Sequence, residues 1–201
     1  MRERTARAAK GDGGSGGARA DLVKYVFRLL WLVATAGRRV RCAPVGPCVS
    51  GFRVWPNDLD VLMHMNNGVY LTVADLGRVD LLLRAGVYRD IRRRGWYPVV
   101  AAETIRFRRS LRLWQRYTIT TRILGWSERA FYIEQTFERA GDTVAQALIE
   151  ARFLARSGAR VSAADVLAVA GVTEPSPALP EYLDDWLRSV ERQRAAMPSG
   201  S

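Results

Sequence analysis

Residues 67–85 have a helical pattern in which apolar side chains occupy nearly every side. Polar residues form only a narrow stripe, at Thr72, Asp75 and Arg78. A helix that is apolar almost all round is buried rather than laid on a surface. Gly86 predicts its end, and a short second helix is predicted over residues 87–94. The rest of the fold must therefore enclose this helix.

The later segments alternate apolar and polar residues with the period of half-buried strands. The predicted strands cover residues 99–109, 117–124, 131–138 and 145–153, after a first strand over 49–55. Because short turns join consecutive strands, the four are predicted to pair in chain order as an antiparallel meander. One buried helix with such a sheet is an α+β layer architecture. Two further helices are predicted over residues 162–170 and 181–195.

The chain divides into four predicted regions. They are a disordered, basic, Gly-rich tail (1–20), an apolar and basic N-terminal helix (21–41), a compact domain (48–160) and a C-terminal helical extension (161–201). The tail is predicted to be disordered because it cannot bury enough apolar area to offset its ordering entropy.

Residues 21–36 form a strongly apolar helical segment that Lys24 and Arg28 interrupt. The segment is too short for a bilayer span, which needs roughly 20 apolar residues. Three interpretations stay open: a helix packed on the domain's own surface, a helix lying on an anionic membrane surface, and an export signal. We expect a cytoplasmic protein, with residues 21–36 as the candidate for peripheral membrane contact.

The positive charge is concentrated at the N-terminus. The chain of 201 residues has 31 Lys and Arg against 20 Asp and Glu, a net charge of +11. Residues 1–41 hold +7 of it, so the remaining 160 residues carry only +4. A basic nucleic-acid-binding module is therefore a rival interpretation with little support beyond charge, and no nucleic-acid partner is expected.

Cysteine and histidine are too few for a conventional structural zinc site, so no metal or cofactor is expected. The chain has Cys42, Cys48 and a single histidine, His64. A bridge between the two cysteines is geometrically feasible. In a cytosolic chain with a large apolar core, however, two such cysteines are expected to stay reduced.

Residues 55–70 concentrate the groups that could carry chemistry. Asp58, Asp60, His64, Asn66 and Asn67 lie within ten residues and precede the buried helix. A helix start exposes unpaired N–H groups and a positive potential, which can stabilise a developing oxyanion. Asp58 could equally be a turn or cap residue, Asp60 could bond only loop amides, and either asparagine could be the N-cap.

The run Asp58-Leu59-Asp60, His64-Met65-Asn66-Asn67 and Tyr70 resembles the "D-x-D-x-x-G-H-V-N-N-x-x-Y" signature of hotdog-fold acyl thioesterases. Together with Arg109-Ser110-Leu111-Arg112-Leu113 and Leu124-Gly125-Trp126, it is closest to the thioesterase superfamily member 6 group. The resemblance covers about residues 50–160. It implies a hotdog fold, with an antiparallel sheet wrapped around one long buried helix, assembled as a homodimer or a dimer of dimers.

The resemblance also implies an acyl-CoA or acyl-ACP thioesterase of lipid metabolism. Asp60 would attack the thioester carbonyl or activate water, His64 would orient water or the carboxylate, and the Asn67 N–H would polarise the carbonyl. Asn66 and Tyr70 would contact substrate.

Some positions depart from the family pattern. Met63 replaces the usual glycine, Leu62 replaces an asparagine, and Ser110-Leu111 replaces a Glu-Cys pair. A non-catalytic, membrane-associated acyl-thioester binder therefore stays open as the alternative. Glu103 is expected at the rim or facing solvent, and the alternative is an auxiliary carboxylate, because it shares a face with Ile105 and Phe107. The arginine runs at 106–112 and 92–94 are candidates for the phosphates of CoA or for a solvated face.

Overall fold

The computed structural model describes the backbone of residues 15–197 and the side chains of residues 23–197. Its helices are α1 (Ser15–Ala36), α2 (Asn67–Arg84), α3 (Tyr88–Arg93), α4 (Ala163–Ala170) and α5 (Glu181–Ala196), with a 3-10 turn at Pro56–Asp58. Its strands are β1 (Cys48–Arg53), β2 (Trp96–Phe107), β3 (Arg116–Trp126), β4 (Phe131–Arg139), β5 (Asp142–Ala155) and β6 (Arg160–Val161).

The predicted helices and long strands are confirmed within a few residues, and one α+β unit contains them. The strands form an antiparallel sheet in the order β1-β3-β4-β5-β2, with β6 paired to β5. The meander is correct for β3, β4 and β5 but wrong for β2. That strand pairs with β5, so that Ile105 lies opposite Ala147. The alternating pattern identifies a strand's buried face, but it carries no information about the strand that lies beside it.

The sheet curls around α2, whose apolar side chains supply the core. Tyr70, Val73 and Ala74 pack with Ile119 and Phe137 at one end of the domain. At the other end, Val87 and α4 close the apolar layer over β4 and β5. Gly77 allows the close approach of α2 to the sheet, because a Cβ there would lie 2.9 Å from Nε2 of Gln135.

Helix α1 begins six residues before the start of the predicted 21–36 helix, so residues 15–20 are helical rather than part of the tail. The rest of the predicted tail, residues 1–14, lies outside the described residues. Helix α1 packs against α2, and Leu32 on its inner side is completely buried. None of the helices in residues 15–197 is long and apolar enough to span a membrane.

The segment between α1 and β1 contains a disulfide, Cys42–Cys48. The expectation of two reduced thiols is therefore wrong for this structure. The chain turns between the two residues, with the Gly46 N–H donating to the Ala43 carbonyl at 2.9 Å. That turn brings the two Cα atoms to 5.5 Å, inside the normal range for a disulfide.

Candidate active site

Asp60 and His64 lie on one tight loop between the 3-10 turn, which ends at Asp58, and α2, which begins at Asn67. The Asp60 N–H donates to the His64 carbonyl at 2.8 Å, and the Met63 N–H donates to the Asp60 carbonyl at 3.0 Å. Leu59 and Met65 pair as an antiparallel bridge at the base of the loop. The loop tip, residues 61–63, is exposed, whereas Asp60 and His64 at its base are half-buried.

The Asp60 carboxylate holds its own loop through one oxygen. Its Oδ1 accepts from the Leu62 N–H at 2.8 Å and from the His64 N–H at 3.4 Å. Within the described residues, no hydrogen bond reaches the other oxygen, Oδ2. Asp60 therefore bonds loop amides, as one interpretation of the sequence predicted, and its catalytic role stays a prediction.

Asn66 is the N-cap of α2. Its side-chain oxygen accepts from the Gly68 N–H at 2.8 Å, so the choice between the two asparagines is settled. Asn67 is the first helical residue, and its side chain is exposed. The N–H of a first helical residue has no partner within its helix, and the helix dipole gives this end a positive potential.

His64 faces away from its own loop toward a basic pocket. Its backbone pairs with Arg112 as an antiparallel bridge, which joins the Asp60 loop to the segment before β3. The pocket has a volume of about 650 Å³ and is lined by His64, Arg109, Ser110, Arg112, Gln115 and Arg139. No carboxylate lines it, although Arg109 pairs with Asp142 nearby. His64 reaches the Asp60 carboxylate through its backbone N–H, and no described hydrogen bond joins the imidazole to it.

Asp58 is a cap residue of the 3-10 turn, as one interpretation of the sequence predicted, and it is also a buried anchor. It is completely buried, and Arg28 of α1 forks onto it with contacts of 2.6 Å and 3.3 Å. Lys24 lies 3.0 Å from the same carboxylate, which also accepts from the Trp55 N–H at 2.8 Å. The Asp58 carbonyl in turn accepts from the Asn66 N–H at 2.8 Å. The pair Arg28–Asp58 therefore ties α1 to both ends of the Asp60 loop.

Tyr70 lies in the core below the site. It is 2% exposed and packs against Phe107 and Phe137, with ring centroids 5.0 Å and 5.3 Å away. The Leu111 N–H donates to its hydroxyl at 3.3 Å, and burial raises the pKa of that hydroxyl. In this arrangement Tyr70 supports the segment that carries Arg112.

Two groups at the site were missed by sequence reasoning. Arg139 joins the basic pocket from the end of β4, which is distant in sequence, and nothing in the pattern places it there. Arg28 carried a usable signal, because a charged residue within an apolar helix needs a buried partner. Of the two alternatives for Glu103, the exposed position is confirmed.

Met63 occupies a backbone conformation that favours glycine, with φ at 61°. This is the position at which the family signature has glycine. A left-handed conformation costs a non-glycine residue about 1–2 kcal/mol, whereas glycine is penalised only through its unfolded-state entropy.

We therefore expect Met63→Gly to leave the free energy of unfolding unchanged or to raise it by up to about 1 kcal/mol. Met63→Val should lower it by about 1–2 kcal/mol, because β-branched residues tolerate positive φ poorly. Urea unfolding of the two variants measures both effects. A clear loss of stability in Met63→Gly would show that the backbone at Met63 is not strained.

No group of three or more metal-ligating side chains occurs in the part of the chain that the structure describes.

Known proteins are similar to this chain in sequence and in fold. Residues 54–187 match the thioesterase-like superfamily. Protein THEM6 of Xenopus laevis is 39% identical over 142 residues, covering 65% of this chain and 68% of that protein. Protein THEM6 of Danio rerio is 31% identical over 186 residues, covering 89% of this chain and 88% of that protein.

A solved structure with the same architecture is YbaW, a probable thioesterase from Escherichia coli. It superimposes with a TM-score of 0.56 at 22% identity, covering 60% of this chain and 94% of that one. At this identity the likeness shows the fold, a hotdog in which the antiparallel sheet wraps one long helix. The predicted fold class is thereby confirmed.

Proposed function

This chain belongs to the thioesterase-like superfamily, and from that premise we propose that it hydrolyses an acyl thioester to a free acid and a thiol. The single observation that carries the proposal is the half-buried Asp60 carboxylate, which one loop-bonded oxygen fixes in the loop that leads into α2. Asp60 is the proposed base or nucleophile. As base, it takes a proton from water, whose oxygen then attacks the thioester carbon.

The start of α2 is the proposed oxyanion site. As the carbonyl carbon becomes tetrahedral, negative charge develops on its oxygen, and the unpaired N–H of Asn67 together with the helix dipole stabilises that charge. The Asn66 cap keeps this helix start in place through its bond to Gly68. Collapse of the intermediate breaks the carbon–sulfur bond, and the proton held by Asp60 passes to the departing sulfur, which leaves as the thiol.

The proposed role of His64 is to hold water or the thiol leaving group at the edge of the basic pocket. Val61, Leu62 and Met63, which are exposed apolar residues, provide a surface for the acyl group beside Asp60. Tyr70 is the weakest of the proposed substrate contacts, because its hydroxyl is buried and bonded to Leu111.

The basic pocket favours a phosphorylated carrier for the acyl group. Three arginines and no carboxylate line it, and guanidinium groups bind phosphate oxygens with paired, charge-assisted hydrogen bonds. Both CoA and the phosphopantetheine arm of an acyl carrier protein supply such phosphates. We favour CoA, because a concave pocket suits a small nucleotide better than a protein surface.

A homodimer through β2 is the proposed assembly. β2 ends the sheet, so the backbone groups on its outer side have no neighbouring strand among the described residues. A second copy could pair there and continue the sheet. The cytoplasmic location stays a prediction, and the disulfide is of a kind more common in oxidising compartments.

The test is release of free thiol from a panel of acyl-CoAs by the purified full chain. Turnover that Asp60→Asn abolishes supports the proposal. Saturable binding of acyl-CoA without turnover would instead assign the alternative, a non-catalytic acyl-thioester binder. The departures from the family pattern at Met63 and Ser110 are compatible with that alternative.

The carrier is tested separately at Arg112. We expect Arg112→Gln to raise the KM for acyl-CoA about tenfold to hundredfold, since one hydrogen bond to a charged group contributes about 1.5–3 kcal/mol. The KM for the same acyl group on N-acetylcysteamine, which has no phosphate, should not change. Equal effects on both substrates would contradict a phosphate contact at Arg112.

A further inference from the structure

One face of helix α1 is buried against the domain, and the opposite face is exposed. Its inner face is held to the domain by Arg28 and Leu32, which are buried, and by the Tyr25 hydroxyl, which donates to Asp75 at 2.7 Å. Its outer face is apolar and exposed. We call it the outer face, and its residues are Val23, Val26, Phe27, Leu30, Trp31 and Val33.

The exposure of the outer face is unusual for side chains of this size. Phe27 is 65% exposed and Leu30 is 61% exposed, and no charged residue interrupts the face between Val23 and Val33 on that side of the helix. Contiguous apolar surface of this kind on a folded domain marks an interaction site. A groove of about 1210 Å³ between α1 and β1 extends it, with Trp55 on the far wall.

The charges around the outer face are basic. Arg53 and Arg116 line the groove, which has no acidic residue in its lining, and both side chains are exposed. Arg38 and Arg41 follow α1 directly and are also exposed. Of the acidic residues that contact α1 in the described part of the chain, Asp58 is buried and paired with Arg28, and Asp75 accepts from Tyr25 and pairs with Arg78.

We propose that the outer face of α1 docks on an anionic membrane surface, with α1 lying parallel to the lipid plane. Phe27, Leu30 and Trp31 enter the boundary between headgroups and acyl chains, and the surrounding arginines meet anionic headgroups. Trp31 and Trp55 are aromatic residues of the kind that concentrates at this boundary.

The packing of α1 decides its orientation. Because Arg28 and Tyr25 are pinned to Asp58 and Asp75, the helix cannot leave the domain to cross a bilayer without exposing a buried ion pair. Two of the interpretations open at the sequence level are therefore compatible. The inner face packs on the domain, and the described part of the chain leaves the outer face exposed.

A second copy of this chain is the competing occupant, and the sheet order argues against it. β1, beside which α1 lies, and β2, the proposed dimer edge, are at opposite ends of the sheet. A dimer formed through β2 would leave both copies of the outer face uncovered. The proposal concerns binding alone and stands or falls independently of thioester hydrolysis.

The experiment is co-sedimentation of the full chain with vesicles of phosphatidylcholine, alone or with about one-third phosphatidylglycerol. We expect the wild type to bind the anionic vesicles, and binding to weaken as salt is raised. The double variant Phe27→Glu/Leu30→Glu should lower the partition coefficient at least about tenfold. Met197→Glu, which places one such charge on an exposed apolar residue at the end of α5, is the control and should bind as the wild type does.

Several outcomes would overturn the proposal. They are a wild type that stays in the supernatant, equal binding to neutral and anionic vesicles, and a double variant that sediments like the wild type. A change of oligomeric state in the double variant without vesicles, measured by light scattering, would assign the outer face to self-association instead. Circular dichroism spectra that match the wild type show that a loss of binding does not come from unfolding.

Discussion

Asp60→Asn is expected to lower kcat for thioester hydrolysis by about 10²–10⁴-fold, the range for loss of a general base. The amide cannot accept a proton from water or attack the carbonyl. It can still accept the Leu62 N–H through its oxygen, so the loop should keep its conformation. The effect should therefore fall on kcat, with the KM for acyl-CoA changed little.

The control for this prediction is Glu103→Gln, which neutralises an exposed carboxylate on β2. We expect it to change kcat less than about twofold, because a solvent-facing group contributes little to the reaction. Both variants are compared by thiol release at saturating acyl-CoA. Full turnover by Asp60→Asn would refute the assignment of Asp60 as base or nucleophile. A large loss of kcat in Glu103→Gln would instead assign a catalytic role to Glu103 on β2.

Arg28→Met is expected to lower the free energy of unfolding by about 3 kcal/mol or more, because it leaves Asp58 buried with an incomplete set of partners. Lys24 stays near that carboxylate and limits the loss. Urea or thermal unfolding measures the change. Arg28→Lys keeps the charge but not the two-pronged contact, so its free energy of unfolding should lie between those of Arg28→Met and the wild type.

The same variant should also lower kcat at temperatures where it is fully folded, because Asp58 supports the Asp60 loop and the N-cap. Arg39→Met is the matched control. Arg39 also forks onto a buried carboxylate, Asp80, but that pair lies by α2 and β1, away from the loop. It should lose stability while keeping kcat. If both variants keep kcat, Arg28 serves stability alone.

The candidate site could be located from the sequence because its groups are local. Asp60, His64, Asn66 and Asn67 lie on one short loop and the helix start that follows it, so proximity in sequence guaranteed proximity in space. The buried role of Asp58 and the contribution of Arg139 could not be located in this way. Each depends on an element that is distant in the chain, α1 for Asp58 and β4 for Arg139.

The same distinction between local groups and distant elements applies to the fold. Side-chain periodicity identified α2 as buried and marked each long strand, because burial imposes its period on the residues of one element at a time. The order β1-β3-β4-β5-β2, the seating of α1 and the disulfide were decided by the tertiary structure. A periodic pattern records that a side chain is buried, whereas the identity of the neighbour that buries it depends on the path of the whole chain.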